Sequence, residues 1–203
     1  TLNEKIGDQE FQKYFRLLIS ELEFPPCFPV GVAQMDEKKQ LNLFRNGSGL
    51  NENIQMSVFH SLALASIVAN KGVYNPFNMI RGIVQKTHLV TRMVTDLRST
   101  RKISPQAADR LAEVMASVVH DPCGTAYEDF QDFRKKFTDI TVCGKTGTLS
   151  DIDRSHSISW FIGFAPKNDP RYCLAVLVKL KKGRGTRAAK MASEIFTSLF
   201  SIP

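Results

Sequence analysis

Residues 140–148 read Ile140-Thr141-Val142-Cys143-Gly144-Lys145-Thr146-Gly147-Thr148, and they decide how the last third of this chain is read. The apolar approach of Ile140 and Val142 leads to a lysine, a hydroxyl, a glycine and a second hydroxyl. On an extended strand, successive side chains alternate between faces. Lys145 then shares a face with Cys143 and Gly147, and Thr146 and Thr148 point the other way. An ammonium group, two hydroxyls and a bare glycine equip such a strand edge to hold a carboxylate. The missing side chain of Gly147 lets a ligand lie against the backbone, and the N–H groups beyond it donate to an anion.

Two more strand-like runs follow at short intervals, 157–165 and 172–180. Short loops make neighbouring strands antiparallel. A closing helix is expected over 186–200, with Ala188, Met191, Ile195, Phe196 and Leu199 facing inward. Upstream, Ser104-Pro105 opens a helix with serine as N-cap and proline at the first helical position. Its expected apolar stripe is Ala107, Leu111, Val114, Met115 and Val118, and His120-Asp121-Pro122 ends it. Residues 123–138 read as loop with a short helix. A well-buried helix is expected from about Ile54 to Asn70, stopped in a left-handed turn at Asn70-Lys71-Gly72. Strands at 78–84 and 88–95 flank Gln85-Lys86-Thr87. Phe11, Tyr14, Phe15 and Leu18 give a helical period over 8–21, with Asp8 as N-cap and Pro25-Pro26 as the stop. The expected class is α/β of the layered α+β kind: an antiparallel sheet with a C-terminal helix packed on it, preceded by a mostly helical part.

The 203 residues, 43% hydrophobic with mixed charge, suit a globular fold. No apolar run of about 18 residues is present to span a membrane as a helix. The opening Thr1-Leu2-Asn3-Glu4 has neither the basic start nor the apolar stretch of a signal peptide. With no initiating Met, the expectation is a chain that begins partway through its gene product. Cys27, Cys123, Cys143 and Cys173 are widely spread without a C-x-x-C pair, which favours free or buried thiols over zinc or redox chemistry. No metal or other cofactor is expected. Lys179, Lys181, Lys182, Arg184, Arg187 and Lys190 carry six of the seven net positive charges. That segment is read as a solvated loop running into a helix, with contact to an anionic surface as the alternative. No aromatic residues interleave with it, which argues against nucleic acid.

Gly144-Lys145-Thr146 also matches the end of a nucleotide-binding P-loop. That pattern needs a glycine where Asp139 stands, and a helix where Gly147-Thr148-Leu149-Ser150 follows. A serine–histidine–aspartate hydrolase is unsupported, because no G-x-S-x-G elbow occurs. His120, and His156 beside Asp151, Asp153 and Arg154, are candidate acid–base groups; a solvated turn is the better reading of the loop before His156. Trp160 reads as core.

Taken together, several stretches resemble the C-terminal part of a penicillin-binding-protein transpeptidase domain. They are the run 141–148, the strand Trp160-Phe161-Ile162-Gly163-Phe164-Ala165-Pro166, and the Gly183/Gly185 turn into Ala188-Ala189. Upstream, Ile103 to Met115 resembles the helix that precedes the K-T-G strand, and Gly124-Thr125-Ala126 the G-T-A turn. Gly47-Ser48-Gly49 and the helix ending at Gly72 resemble the glycine-x-glycine turn and its following helix. The ordered match runs from about residue 7 to 200. It implies that residues 1–203 are the C-terminal portion of one such domain, with 1–139 mostly helical and 140–203 forming a three-stranded sheet and C-terminal helix.

The resemblance implies a serine acyl-transfer enzyme of peptidoglycan cross-linking, on the outer face of the bacterial inner membrane. A serine attacks the D-Ala-D-Ala end of a donor stem peptide, an amine of a second stem peptide resolves the acyl-enzyme, and β-lactams trap it. Lys145 and Thr148 are then the expected catalytic residues, and Lys145, Thr146, Gly147 and Thr148 the substrate-binding ones, with the Thr148 N–H as half of the oxyanion hole. The family also uses S-x-x-K and S-x-N motifs. No S-x-N occurs in these residues. The one S-x-x-K, Ser99-Thr100-Arg101-Lys102, falls after the glycine-x-glycine turn, whereas the family's nucleophile precedes it. The expected partner is therefore a missing N-terminal part of the same enzyme that carries the nucleophile. The alternatives are an inactive binding or scaffold module of the same fold, and a β-lactam sensor or β-lactamase relative.

Overall fold

The computed structural model describes residues 8–24, 56–77, 82–85, 88–92, 98–150, 156–181 and 185–202. Their helices are α1 (Asp8–Phe15), α2 (Val58–Ala69), α3 (Pro105–His120), α4 (Gln131–Lys136) and α5 (Ala188–Ser201). Their strands are β1 (Val73–Tyr74), β2 (Gly82–Gln85), β3 (His88–Arg92), β4 (Thr100–Arg101), β5 (Cys143–Ser150), β6 (His156–Ala165) and β7 (Tyr172–Lys181). The chain divides into two compact units, residues 1–57 with 74–102, and residues 58–73 with 103–203.

In the first unit α1 continues into a π-helical turn, Arg16–Ser20, covering the helix read from the period of Phe11, Phe15 and Leu18. Phe15 is buried and Tyr14 lies outside. Tyr74 is buried and donates its hydroxyl to the Glu23 carbonyl at 2.6 Å. β2 and β3 pair antiparallel, and Gln85, expected in the turn, belongs to the strand opposite His88. The expected turn at Gly47-Ser48-Gly49, the stop at Pro25-Pro26, residues 54–55, the outer strand ends at 78–81 and 93–95, the 151–155 loop, and Lys182, Gly183 and Arg184 lie outside the described residues; Met56 and Ser57, expected in the second helix, precede its start at Val58.

The second unit is a three-layer α/β/α arrangement. The sheet has the order β5-β6-β7, antiparallel throughout. Alternation along β6 sends Phe161 and Ala165 to one face and Phe164 to the other, and a separate apolar cluster forms on each. On the first face, Phe161 and Ala165 pack with Val119, Phe130, Phe133, Val142, Ala188, Ala192 and Phe196. On the second, Cys143 and Phe164 pack with Ala69, Ala112, Met115 and Ala116. α5 contacts β6 and β7, α2 the same two strands, and α3 β5.

Helix α3 starts as its sequence requires: the Ser104 hydroxyl accepts from the Ala107 N–H at 3.1 Å, and Pro105 occupies the first turn. Its buried face keeps Met115, and in part Val118, of the expected stripe, but otherwise shifts by one residue. Ala108, Ala112, Met115, Ala116 and Val119 are buried, whereas Leu111 and Val114 are 45% and 63% exposed. Helix α5 likewise buries the expected Ala188 and Phe196, together with Ala189, Ala192 and Ser193, but leaves Met191 and Ile195 outside. In both helices a row of small residues lies inward, which lets the backbone approach the sheet closely. A stripe drawn by hydrophobicity alone favours the larger neighbours. α2 ends as expected, with Lys71 at φ 52° and Gly72 at φ 88°. A side chain at Gly72 would meet the Ile103 carbonyl oxygen at 2.1 Å.

Candidate functional site

The K-T-G-T run lies wholly within β5, which has one partner strand, β6, among the described residues. Register sets the faces. Thr146 pairs with Phe161 and Thr148 with Ser159, on the α5 side. Lys145 pairs with Ile162 and Gly147 with Trp160, on the α2–α3 side. The alternation expected from sequence thus holds through Thr148 without a break. Lys145 and Thr148 are exposed, and Thr146 and Gly147 are half-buried. The Lys145 ammonium donates to the Thr146 carbonyl oxygen. A Cβ on Gly147 would lie 3.3 Å from Trp160 Cβ, so the glycine keeps this stretch of backbone open beside the indole.

The strand is held at several points. The Cys143 thiol donates to the Ala112 carbonyl of α3 at 3.3 Å, and burial pushes its pKa up to about 12. Gly144 allows Phe161 to cross the strand: a Cβ there would come within 2.4 Å of the ring and 3.3 Å of Val119. Ser159, opposite Thr148, accepts the Ala188 N–H at 3.1 Å and so ties the start of α5 to the sheet behind the site. α3 is anchored by Lys71–Asp109 and Lys167–Glu113 ion pairs, each at 2.5 Å.

His120 is a brace for this strand. Its Nε2 accepts the Val142 N–H at 3.0 Å, one residue before β5 begins. Burial first, then the Arg134 guanidinium, lowers its pKa below the usual imidazole value. An Nε2 that accepts a hydrogen bond must be unprotonated, which fits that direction. Arg134 donates to the Val119 and Tyr127 carbonyls at 2.8 and 2.6 Å and stacks 3.8 Å over the Tyr127 ring. It thereby joins the end of α3 to the turn that follows. His156 opens β6 and is half-buried.

A side chain that the sequence offered only as part of a turn also reaches the site. Thr125 Oγ1 lies 2.6 Å from Thr146 Oγ1. No spacing rule announces this pair, because 21 residues separate its members.

The S-x-x-K at Ser99–Lys102 does not form a helical pair. Ser99 is exposed, outside any helix, just before β4, and Lys102 is largely buried and donates to the Glu21 carbonyl at 3.1 Å. In the basic segment, Arg187 pairs with Asp129 at 3.0 Å and Lys190 with Asp132 at 3.1 Å, so these two cations secure α5. No helix among the described residues is long and apolar enough to cross a membrane.

Comparison with known proteins places this architecture. The penicillin binding protein transpeptidase domain family matches residues 1–200. Penicillin-binding protein PbpB of Mycolicibacterium smegmatis is 28% identical over 167 residues, covering 72% of this chain and 24% of its own length. Peptidoglycan D,D-transpeptidase PbpA of the same organism is 23% identical over 160 residues, covering 76% and 31%. The chain thus spans less than a third of these curated relatives. Among solved structures, an imipenem acyl-enzyme complex of penicillin-binding protein A from M. tuberculosis superposes with a TM-score of 0.75 at 18% identity, covering 98% of this chain and 43% of that one. A peptidoglycan synthetase from Bifidobacterium adolescentis gives 0.74 at 20% identity, covering 99% and 38%.

Proposed function

Because the chain belongs to the penicillin binding protein transpeptidase domain family, we propose that it forms the carboxylate-holding wall of a peptidoglycan D,D-transpeptidase site. In this reading residues 1–203 are the C-terminal portion of one transpeptidase domain. The observation that carries it is β5: an uninterrupted strand edge with exposed Lys145 and Thr148, and Gly147 open beside Trp160.

Lys145 supplies positive charge to the terminal carboxylate of the donor stem peptide. Thr146 and Thr148, on the opposite face of β5 from Lys145, donate hydroxyl protons to the same group, which in this reading lies along the strand's outer edge, within reach of both faces. The backbone N–H of Thr148 is half of the oxyanion hole, aimed at the charge that develops on the scissile carbonyl oxygen. The nucleophile is a serine outside these residues. We read Ser99 as uninvolved, a reading supported by its place outside any helix and by the engagement of Lys102 with the Glu21 carbonyl. The reaction is acyl transfer from D-Ala-D-Ala to an amine, carried out outside the cytoplasm, and β-lactams occupy the donor position. A relative of the same fold forms an acyl-enzyme with imipenem, which supports that last point.

The test is covalent labelling with a fluorescent penicillin. The full-length protein is expected to label, and Lys145→Ala to slow labelling roughly 10- to 100-fold, the worth of a charge-assisted hydrogen bond. The 203-residue chain by itself is expected to form no adduct. Labelling at Ser99 overturns the assignment of the nucleophile. A full-length protein that never labels favours a binding module of the same fold.

A further inference from the structure

The Gly124-Thr125-Ala126 turn has no part in the reading above, yet it delivers a hydroxyl to the strand. Thr125 Oγ1 and Thr146 Oγ1 are 2.6 Å apart, a short distance for two hydroxyls. The turn that carries Thr125 is fixed at each step. Asp121 donates its N–H to the Ser117 carbonyl at 3.0 Å and receives the Gly124 N–H on its own carbonyl at 2.8 Å. Its carboxylate accepts the Cys123 N–H at 2.8 Å. The Ala126 N–H returns to the Val118 carbonyl at 3.0 Å, and Ala126 is fully buried. A Cβ at Gly124 would sit 2.4 Å from the Val118 oxygen, so only glycine lets the turn lie this close to α3. Thr146 is fixed from the other side by its pairing with Phe161. Two rigid elements therefore present their hydroxyls to each other across 21 residues of sequence.

A threonine hydroxyl has one proton to give and two lone pairs to receive with. If Thr146 spends its proton on a ligand carboxylate, its contact with Thr125 must be one in which Thr146 accepts. Thr125 is then the donor. A donated bond polarises the acceptor hydroxyl and strengthens the bond that it makes in turn.

We propose that Thr125 is a positioning residue of the carboxylate site: its hydroxyl donates to Thr146 and holds the Thr146 proton toward the ligand. Thr125 acts through Thr146 and does not touch the ligand. This rests on the reading above, in which Thr146 meets the donor carboxylate.

A double-mutant cycle in the full-length protein tests it. Acylation by a fluorescent penicillin is followed over a range of concentrations, so that the binding constant and the acylation rate constant separate, and each variant is melted. Thr125→Val is expected to weaken binding about 3- to 10-fold, the worth of one neutral hydrogen bond, with the acylation rate constant and melting temperature unchanged. Thr125→Ser restores binding. In a Thr146→Val background, adding Thr125→Val costs nothing further. Additive losses in the double variant, or a lower melting temperature with no loss of binding, overturn the proposal. Weaker binding in Thr146→Val without any in Thr125→Val removes the role of Thr125 alone. Unchanged binding in Thr146→Val removes the carboxylate role of Thr146, and that of Thr125 with it.

Discussion

Two glycines in one strand, three residues apart, have opposite jobs. Gly144 makes room inside the protein and Gly147 makes room outside it. A Cβ at Gly144 collides with a buried Phe161 ring at 2.4 Å, whereas one at Gly147 meets Trp160 at 3.3 Å. Gly144→Ala is therefore expected to cost about 1–3 kcal/mol by overpacking, and Gly147→Ala under about 1 kcal/mol. Denaturant melts of the two variants measure the difference. His120 yields a pH prediction. Its native pKa is lowered from 6.5, so the unfolded chain binds the proton more readily. The contribution to stability is complete above about 6.5, falls as pH drops from there toward the lowered native value, and then levels. Replacing the ring by an uncharged amide in His120→Gln should flatten melting temperature against pH in that window. An unchanged slope would show that other groups set it. The thiols divide in the same way. Cys123 is exposed, while burial raises Cys143 to about 12 and Cys173 to about 11. Alkylation of the native protein near neutral pH, mapped by mass spectrometry, should modify Cys123 well before Cys143.

Among the elements, α3 matters most to the site. Its middle seats Cys143 through the Ala112 carbonyl, and its last residue braces Val142. Which of its faces is buried is open to direct test. Met115→Ala should cost about 2–5 kcal/mol, because Met115 packs with Phe164 and Cys143. Val114→Ala, one position earlier and 63% exposed, should cost less than about 0.5 kcal/mol. The stripe read from hydrophobicity gives both residues equal weight, so comparable losses would restore it. Ser104→Ala removes the N-cap and should cost about 1 kcal/mol.

For the second unit as a whole, the sheet separates two apolar clusters that meet α2 and α3 on one side and α5 on the other. The larger one is aromatic: Phe130 lies 5.3 Å from Phe161 and 6.0 Å from Phe133, and Phe133 lies 6.3 Å from Phe196. Phe196→Ala should cost about 3–5 kcal/mol. Since Phe196 and Met115 belong to different clusters, their losses should add within roughly 0.5 kcal/mol. A large coupling energy in denaturant melts would mean that the sheet transmits strain between its faces.

Local rules carried far in this chain. The serine–proline helix start, the lysine–glycine helix stop, the three antiparallel strands and the alternation of Lys145 with Thr146 and Thr148 were all legible, because each depends on backbone preferences of adjacent residues. The buried faces of α3 and α5 were misread at Leu111, Val114, Met191 and Ile195, since hydrophobic size does not reveal how closely a helix approaches its sheet. Neighbouring residues carried the longer helices and strands, the order of chemistry along 145–148 and the family pattern, but not the short strands β1 and β4. Packing between elements set the His120 brace on Val142, the turn of Lys102 to Glu21, and the meeting of Thr125 with Thr146. Those contacts join residues 21, 22 and 81 positions apart, and their geometry is fixed by packing between elements, on which neighbouring residues carry no information.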